Sequence, residues 1–224
     1  MTLSTRFDAI IFDFDGVLLE SEYVGNRHLA EYLTALGHSI TPEAAMGHFM
    51  GLAGQDFLAA IETWIGRPLP DDFHDAREVE NQRVLSEGME AVAGAIAFVR
   101  ALPSRLPRAI ASSSSTHWIT THLDHLGLRD AFDGNIFSGK EHVARGKPAP
   151  DIYLHAAAAL GVDIGRCVIL EDSPVGATGA VASGAHVVGL CAGSHCGVGH
   201  DQRLRDIGVH DIAHGFDEVA RLIA

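Results

Sequence analysis

The feature that most restricts this 224-residue chain is a short apolar run, residues 7–12 (FDAIIF), that stops abruptly at Asp13. A run with almost no polar alternation has no wet face, so it reads as a strand buried on both sides of a parallel sheet. The pattern recurs: residues 108–111 lead into a serine cluster, 167–170 into Glu171 and Asp172, and 186–190 into a Gly-rich loop. Helical patterns lie between them, one on Ile119, Leu123 and Leu126 and one over the Ala-rich residues 151–160, which Gly161 would end. Strand then helix, repeated, predicts an α/β fold with a doubly wound, Rossmann-like parallel sheet.

Residues of about 20 to 87 break this rhythm. Leu29, Tyr32, Leu33 and Leu36 follow helical spacing with Gly37 as a stop; Ile61, Trp64 and Ile65 mark a second helix, and residues 71–85 a polar one. The expected organisation is a core domain of residues 1–17 and 88–224 with a small all-helical cap, residues 18–87, inserted after the first strand. There are no internal repeats and no low-complexity tract, and Pro103 and Pro107 punctuate the turn before the second strand.

Charge narrows the partners. Sixteen Lys and Arg against twenty-nine Asp and Glu leave a formal charge of −13, so bulk attraction to nucleic acid or to an anionic membrane is excluded. Any phosphate must be bound locally, by a buried Lys or a metal ion. Three cysteines, an odd number with no C-x-x-C pair, fit a reducing cytoplasm. The first residues, MTLSTRFD, lack the pattern of a secretory leader, and the apolar stretches are shorter than a membrane span.

Each strong polar cluster follows an expected strand, at the sheet edge where open α/β folds bind ligands. The clusters are Asp13, Asp15 and Gly16 in FDFDG, the serines 112–115, Lys147 in RGKPAPD, and Glu171 with Asp172 in VILEDS. An ionised Asp can attack phosphorus, but its approach to a dianionic phosphate requires the like charges to be offset. A magnesium ion bridging the nucleophile and a phosphate oxygen does this, and it prefers hard oxygen ligands. Asp13, the Asp15 backbone carbonyl and Asp172 offer such oxygens; Glu171 either joins them or holds a metal-bound water. Without a cation this cluster repels itself, so the residues themselves argue for a metal. Asp15 is the candidate to protonate the leaving alcohol and then deprotonate water. Ser112 and the N–H groups of Ser113 and Ser114 are candidates for holding phosphate oxygens, and Lys147 for the local positive charge.

These motifs, in this order, resemble those of a haloacid dehalogenase superfamily phosphatase of the beta-phosphoglucomutase-like subgroup, with its small helical cap. D-x-D-G stands at residues 13–16, a strand ends in Ser112, G-K-P-x-P-D surrounds Lys147, and E-D-S covers residues 171–173. The resemblance covers nearly the whole chain. It implies an aspartyl-phosphate on Asp13, Asp15 as acid and base, and Mg2+ on Asp13, Asp15, Glu171 and Asp172. The expected activity is hydrolysis of a small phosphorylated metabolite, a sugar or polyol phosphate, by a cytoplasmic monomer or weak homodimer. Cap residues 46–56 and the first cap helix are expected to set substrate choice as the cap opens and closes.

The alternative within the resemblance is a sugar-phosphate mutase. Such mutases carry a histidine on the first cap helix and a cap arginine for the second phosphate. Counting from D-x-D-G puts the first on Gly25, and counting from Gly51 puts the second on Gly54, so neither side chain is present. Glu20 also replaces the family's usual Asp. Outside the motifs, Cys191, His195, Cys196 and His200 match no closed zinc pattern and read as an ordinary connection. Trp64 and Trp118 read as packing.

Overall fold

The computed structural model describes residues 5–49, 52, 54–132 and 134–224. The chain divides into two compact units, residues 1–20 with 89–224 and residues 21–88. The smaller unit holds helices α1 (Ser21–Ala35), α2 (Pro42–Phe49), α3 (Gly54–Ile65) and α4 (Phe73–Glu87). The i, i+3, i+4 stripe of α1 buries Leu29, Ala30 and Leu33 against Ala45, Phe49, Ile61, Ile65 and Phe73. Trp64 packs at the edge of that cluster, its ring 6.1 Å from Phe49. Residues 50, 51 and 53, part of the segment expected to set substrate choice and including the reference glycine Gly51, lie outside the described residues.

The larger unit carries six parallel strands: β1 (Ala9–Phe12), β2 (Arg108–Ser112), β3 (Ile136–Ser138), β4 (Cys167–Glu171), β5 (His186–Leu190) and β6 (Asp211–Ala213). Their order is β3-β2-β1-β4-β5-β6. Helices α5 (Ala95–Ala101), α6 (Thr116–Leu126), α7 (Asp151–Leu160), α8 (Pro174–Ser183), α9 (His200–Ile207) and α10 (Phe216–Ile223) complete it. Every residue of β1 is buried, and alternate residues enter separate cores: Ile10 and Phe12 join Phe98, Phe132 and Phe216, whereas Ala9 and Ile11 join Tyr153 and Ile169. At about 1.5–3 kcal/mol for each buried Ile or Phe, this double burial is what holds the central strand. No helix among the described residues is long and apolar enough to cross a membrane.

The expected domain cut after residue 17 falls early. Leu18 and Leu19 are fully buried in the larger unit's core, and the Leu18 carbonyl accepts from the Val92 N–H at 3.0 Å. The chain leaves that unit after Glu20, whose N–H donates to the Glu90 carbonyl at 3.0 Å, and re-enters at Met89. The strands β3 and β6 had no legible signal, because three residues are too few to show a pattern.

Candidate active site

The sheet order changes direction at β1, whose neighbours are β2 and β4, and the crevice beyond such a point is where doubly wound sheets bind ligands. Asp13 follows β1 there, tied to β4 by its N–H on the Leu170 carbonyl at 2.9 Å. Asp172 follows β4. Carboxylate oxygens of Asp13, Glu171 and Asp172 all lie within 4.8 Å of one another, and all three residues are buried. Gly16 makes this approach possible: its φ is +77°, and a Cβ there would sit 2.1 Å from Asp172 Oδ2.

Lys147 reaches the same point. Its Nζ lies 2.8 Å from Asp13 Oδ1 and 2.5 Å from Glu171 Oε1, with the side chain almost wholly buried. Helix α8 closes on this segment at Gly179, where a Cβ would stand 2.9 Å from the Ala149 carbonyl oxygen. Burial opposes the Lys147 charge, but Asp13 and Glu171 outweigh it and hold the ammonium above the usual lysine range. Glu171 is held ionised by Lys147 and by hydrogen bonds from Tyr153 and the Ser173 N–H, although burial works the other way. The Tyr153 hydroxyl is 2.6 Å from Glu171 Oε1, and burial and that carboxylate push its pKa well up, keeping it a donor. Both Glu171 oxygens are therefore engaged by the protein, an arrangement that favours holding Lys147 in place over direct metal ligation.

Asp13 is left with the excess negative charge. Burial, then Glu171, raise its pKa well above the usual carboxylate value, Lys147 offsets only part, and Asp172 raises it further. With three buried carboxylates and one ammonium, the donor set suits a further cation; its members are all hard oxygens, the chemistry a magnesium ion takes. Asp13 and Asp172 suit direct ligation.

The serine segment differs from the expectation in detail. Ser112 is buried at the end of β2, but its Oγ accepts the Ser114 N–H at 3.0 Å, so that amide is not free for phosphate. Ser113 is exposed. Ser115 is the N-cap of α6, accepting from the Trp118 N–H. Ser114 Oγ lies 2.6 Å from Asp15 Oδ2, and the Trp118 indole Nε1 3.0 Å from Asp15 Oδ1. Trp118 thus does more than pack. Helical spacing alone had offered only its apolar ring.

The Cys/His loop also acquires a role that spacing could not show. His195 Nε2 lies 2.8 Å from Asp172 Oδ2, and His200 Nε2 lies 2.6 Å from the Asp172 carbonyl oxygen. Arg203 faces the other nitrogen of His200 at 3.1 Å. Although His195, Cys196 and His200 come together, their imidazoles orient Asp172. Beside them, Ser194 binds the Glu20 carboxylate through its N–H and its hydroxyl, the latter at 2.6 Å.

The protein is 27% identical over 192 residues to 6-phosphogluconate phosphatase of Escherichia coli (strain K12), covering 85% of this chain and 86% of that one. It is 30% identical over 190 residues to hexitol phosphatase A of the same organism, covering 84% of each. A crystal structure of a HAD family hydrolase from Deinococcus radiodurans R1, with bound phosphate and sodium, superposes with a TM-score of 0.83 at 30% identity and 99% coverage of both chains. The family model for haloacid dehalogenase-like hydrolases matches residues 7–184, a span that includes Asp13, Ser112, Lys147 and Asp172; with the six-stranded parallel sheet around them, the chain belongs to that family.

Proposed function

We propose that this protein is a magnesium-dependent phosphomonoester hydrolase acting on a sugar or polyol phosphate through an aspartyl-phosphate on Asp13. The observation that carries the reading is the buried Asp13 beside Lys147, Glu171 and Asp172, a nucleophile set between a fixed ammonium and carboxylates able to hold a metal ion. Asp13, the Asp15 backbone carbonyl and Asp172 would hold the ion, with Glu171 positioned to take one of its waters. Bound there, magnesium neutralises charge on the nucleophile and the phosphoryl oxygens. Lys147 supplies a fixed positive charge, and the Ser112 hydroxyl and the Ser113 N–H bind phosphoryl oxygens. Asp13 forms the bond to phosphorus as the ester oxygen departs with a proton from Asp15; Asp15 then deprotonates the water that releases phosphate. The relatives named above act on 6-phosphogluconate and, by name, on hexitol phosphates, which supports this substrate class.

The mutase reading has less support, since Gly25 and Gly54 stand where such a mutase carries its histidine and its phosphate-binding arginine. Free phosphate should be released from members of a panel of phosphorylated sugars, polyols and nucleotides, and Asp13→Asn should lose at least about 1,000-fold of that rate. An Asp13→Asn protein with ordinary turnover, or an isomeric sugar phosphate formed without phosphate release, would refute hydrolysis through Asp13.

A further inference from the structure

The segment after β2 organises more than the start of a helix. Ser115 fixes the first turn of α6 through the Trp118 N–H, and the Trp118 indole sits at the edge of the larger core with Nε1 3.0 Å from Asp15 Oδ1. His122, one turn on, meets the same ring edge-on at a centroid distance of 4.5 Å and is fully buried. The other Asp15 oxygen, Oδ2, receives Ser114 Oγ at 2.6 Å, with Ser112 Oγ further away at 3.5 Å. The two main partners differ in kind. An indole N–H only donates and does not titrate, whereas a hydroxyl donates or accepts. Together they hold the Asp15 carboxyl group from both oxygens, the indole on Oδ1 and the hydroxyl on Oδ2.

We propose that Trp118 is a positioning residue for acid–base chemistry at Asp15: its indole N–H on Oδ1, with Ser114 on Oδ2, fixes the orientation of the carboxyl group. The proposal rests on the phosphatase reading above. In the first step Asp13 bonds to phosphorus, the bond from phosphorus to the substrate oxygen breaks, and the proton on Asp15 passes to that oxygen. In the second, Asp15 takes a proton from water, whose oxygen bonds to phosphorus as the bond to Asp13 breaks. Water is consumed, alcohol and phosphate leave, and Asp15 regains its proton.

Leaving groups separate this role from a structural one. Nitrophenolate departs without a proton, whereas an alkoxide needs one. Phosphoenzyme formation is measured by rapid quench with an alkyl monophosphate and with 4-nitrophenyl phosphate. Two variants are compared with the parent: Trp118→Phe, and Trp118→3-benzothienylalanine, which keeps the bicyclic shape but has no N–H. Transfer from the alkyl phosphate should slow about 10- to 100-fold in both, and transfer from nitrophenyl phosphate by less than about threefold. Equal losses with the two substrates, or no loss in the benzothienyl variant, overturn the proposal. If the parent forms no phosphoenzyme from either substrate, the phosphatase reading has failed and the positioning role falls with it.

Discussion

His122 carries an imidazole with no hydrogen-bond partner on either nitrogen and no solvent exposure. Burial lowers its pKa from 6.5 to about 4. Between those values the unfolded chain binds a proton that the folded protein refuses, so stability falls as pH drops from 6.5 toward 4. The full effect is about 3 kcal/mol. In urea denaturation at pH 6.5 and 4.5, the parent should therefore lose more stability than His122→Leu; parallel losses would show that His122 does not stay neutral. At this scale Asp13, Asp15, Ser112 and Asp172 were legible as polar groups that end apolar runs at strand termini, and Lys147 through its G-K-P-A-P-D motif. His195, His200 and Trp118 were not. Each acts on a residue far away in sequence, and an imidazole or indole at helical or loop spacing does not announce its partner.

Helix α8 shows how an element can be read correctly and still conceal its purpose. Ser173 caps it, accepting from the Gly176 N–H, and Pro174 begins it, both ordinary start signals. Gly176 and Gly179 look like weaknesses, since glycine in a helix costs about 1 kcal/mol relative to alanine. Their reason is tertiary: a Cβ on Gly176 would lie 1.8 Å from Glu171 Oε1. Gly25 in α1 has nothing within 4 Å of the same position. Gly25→Ala should accordingly stabilise the protein by up to about 1 kcal/mol, whereas Gly176→Ala should destabilise it by more than about 1 kcal/mol and lower kcat by displacing the carboxylate that holds Lys147. Denaturation curves giving both substitutions the same sign would contradict the packing described for α8.

Across the whole molecule, the net charge of −13 acquires a location, because part of it is gathered in Asp13, Glu171 and Asp172 around one lysine. A divalent cation that relieves this repulsion binds the folded state alone. Magnesium at about a hundredfold excess over Kd should stabilise the protein by about 2.7 kcal/mol, seen as a rise in Tm that EDTA reverses. Asp172→Asn should largely abolish the rise; an undiminished shift would place the ion elsewhere. The doubly wound sheet, the inserted helices and the three strand-end clusters were determined by the sequence itself, since burial on two faces requires unbroken apolar runs and loops at strand ends carry the polar groups. Tertiary structure alone decided that the domain boundary follows Glu20, that β3 and β6 pair at the edges, and that His195 and His200 meet Asp172 and Trp118 meets Asp15. Those outcomes depend on contacts between residues tens to more than a hundred positions apart, such as Trp118 with Asp15, and local pattern carries no record of which distant groups the fold will bring within hydrogen-bonding distance.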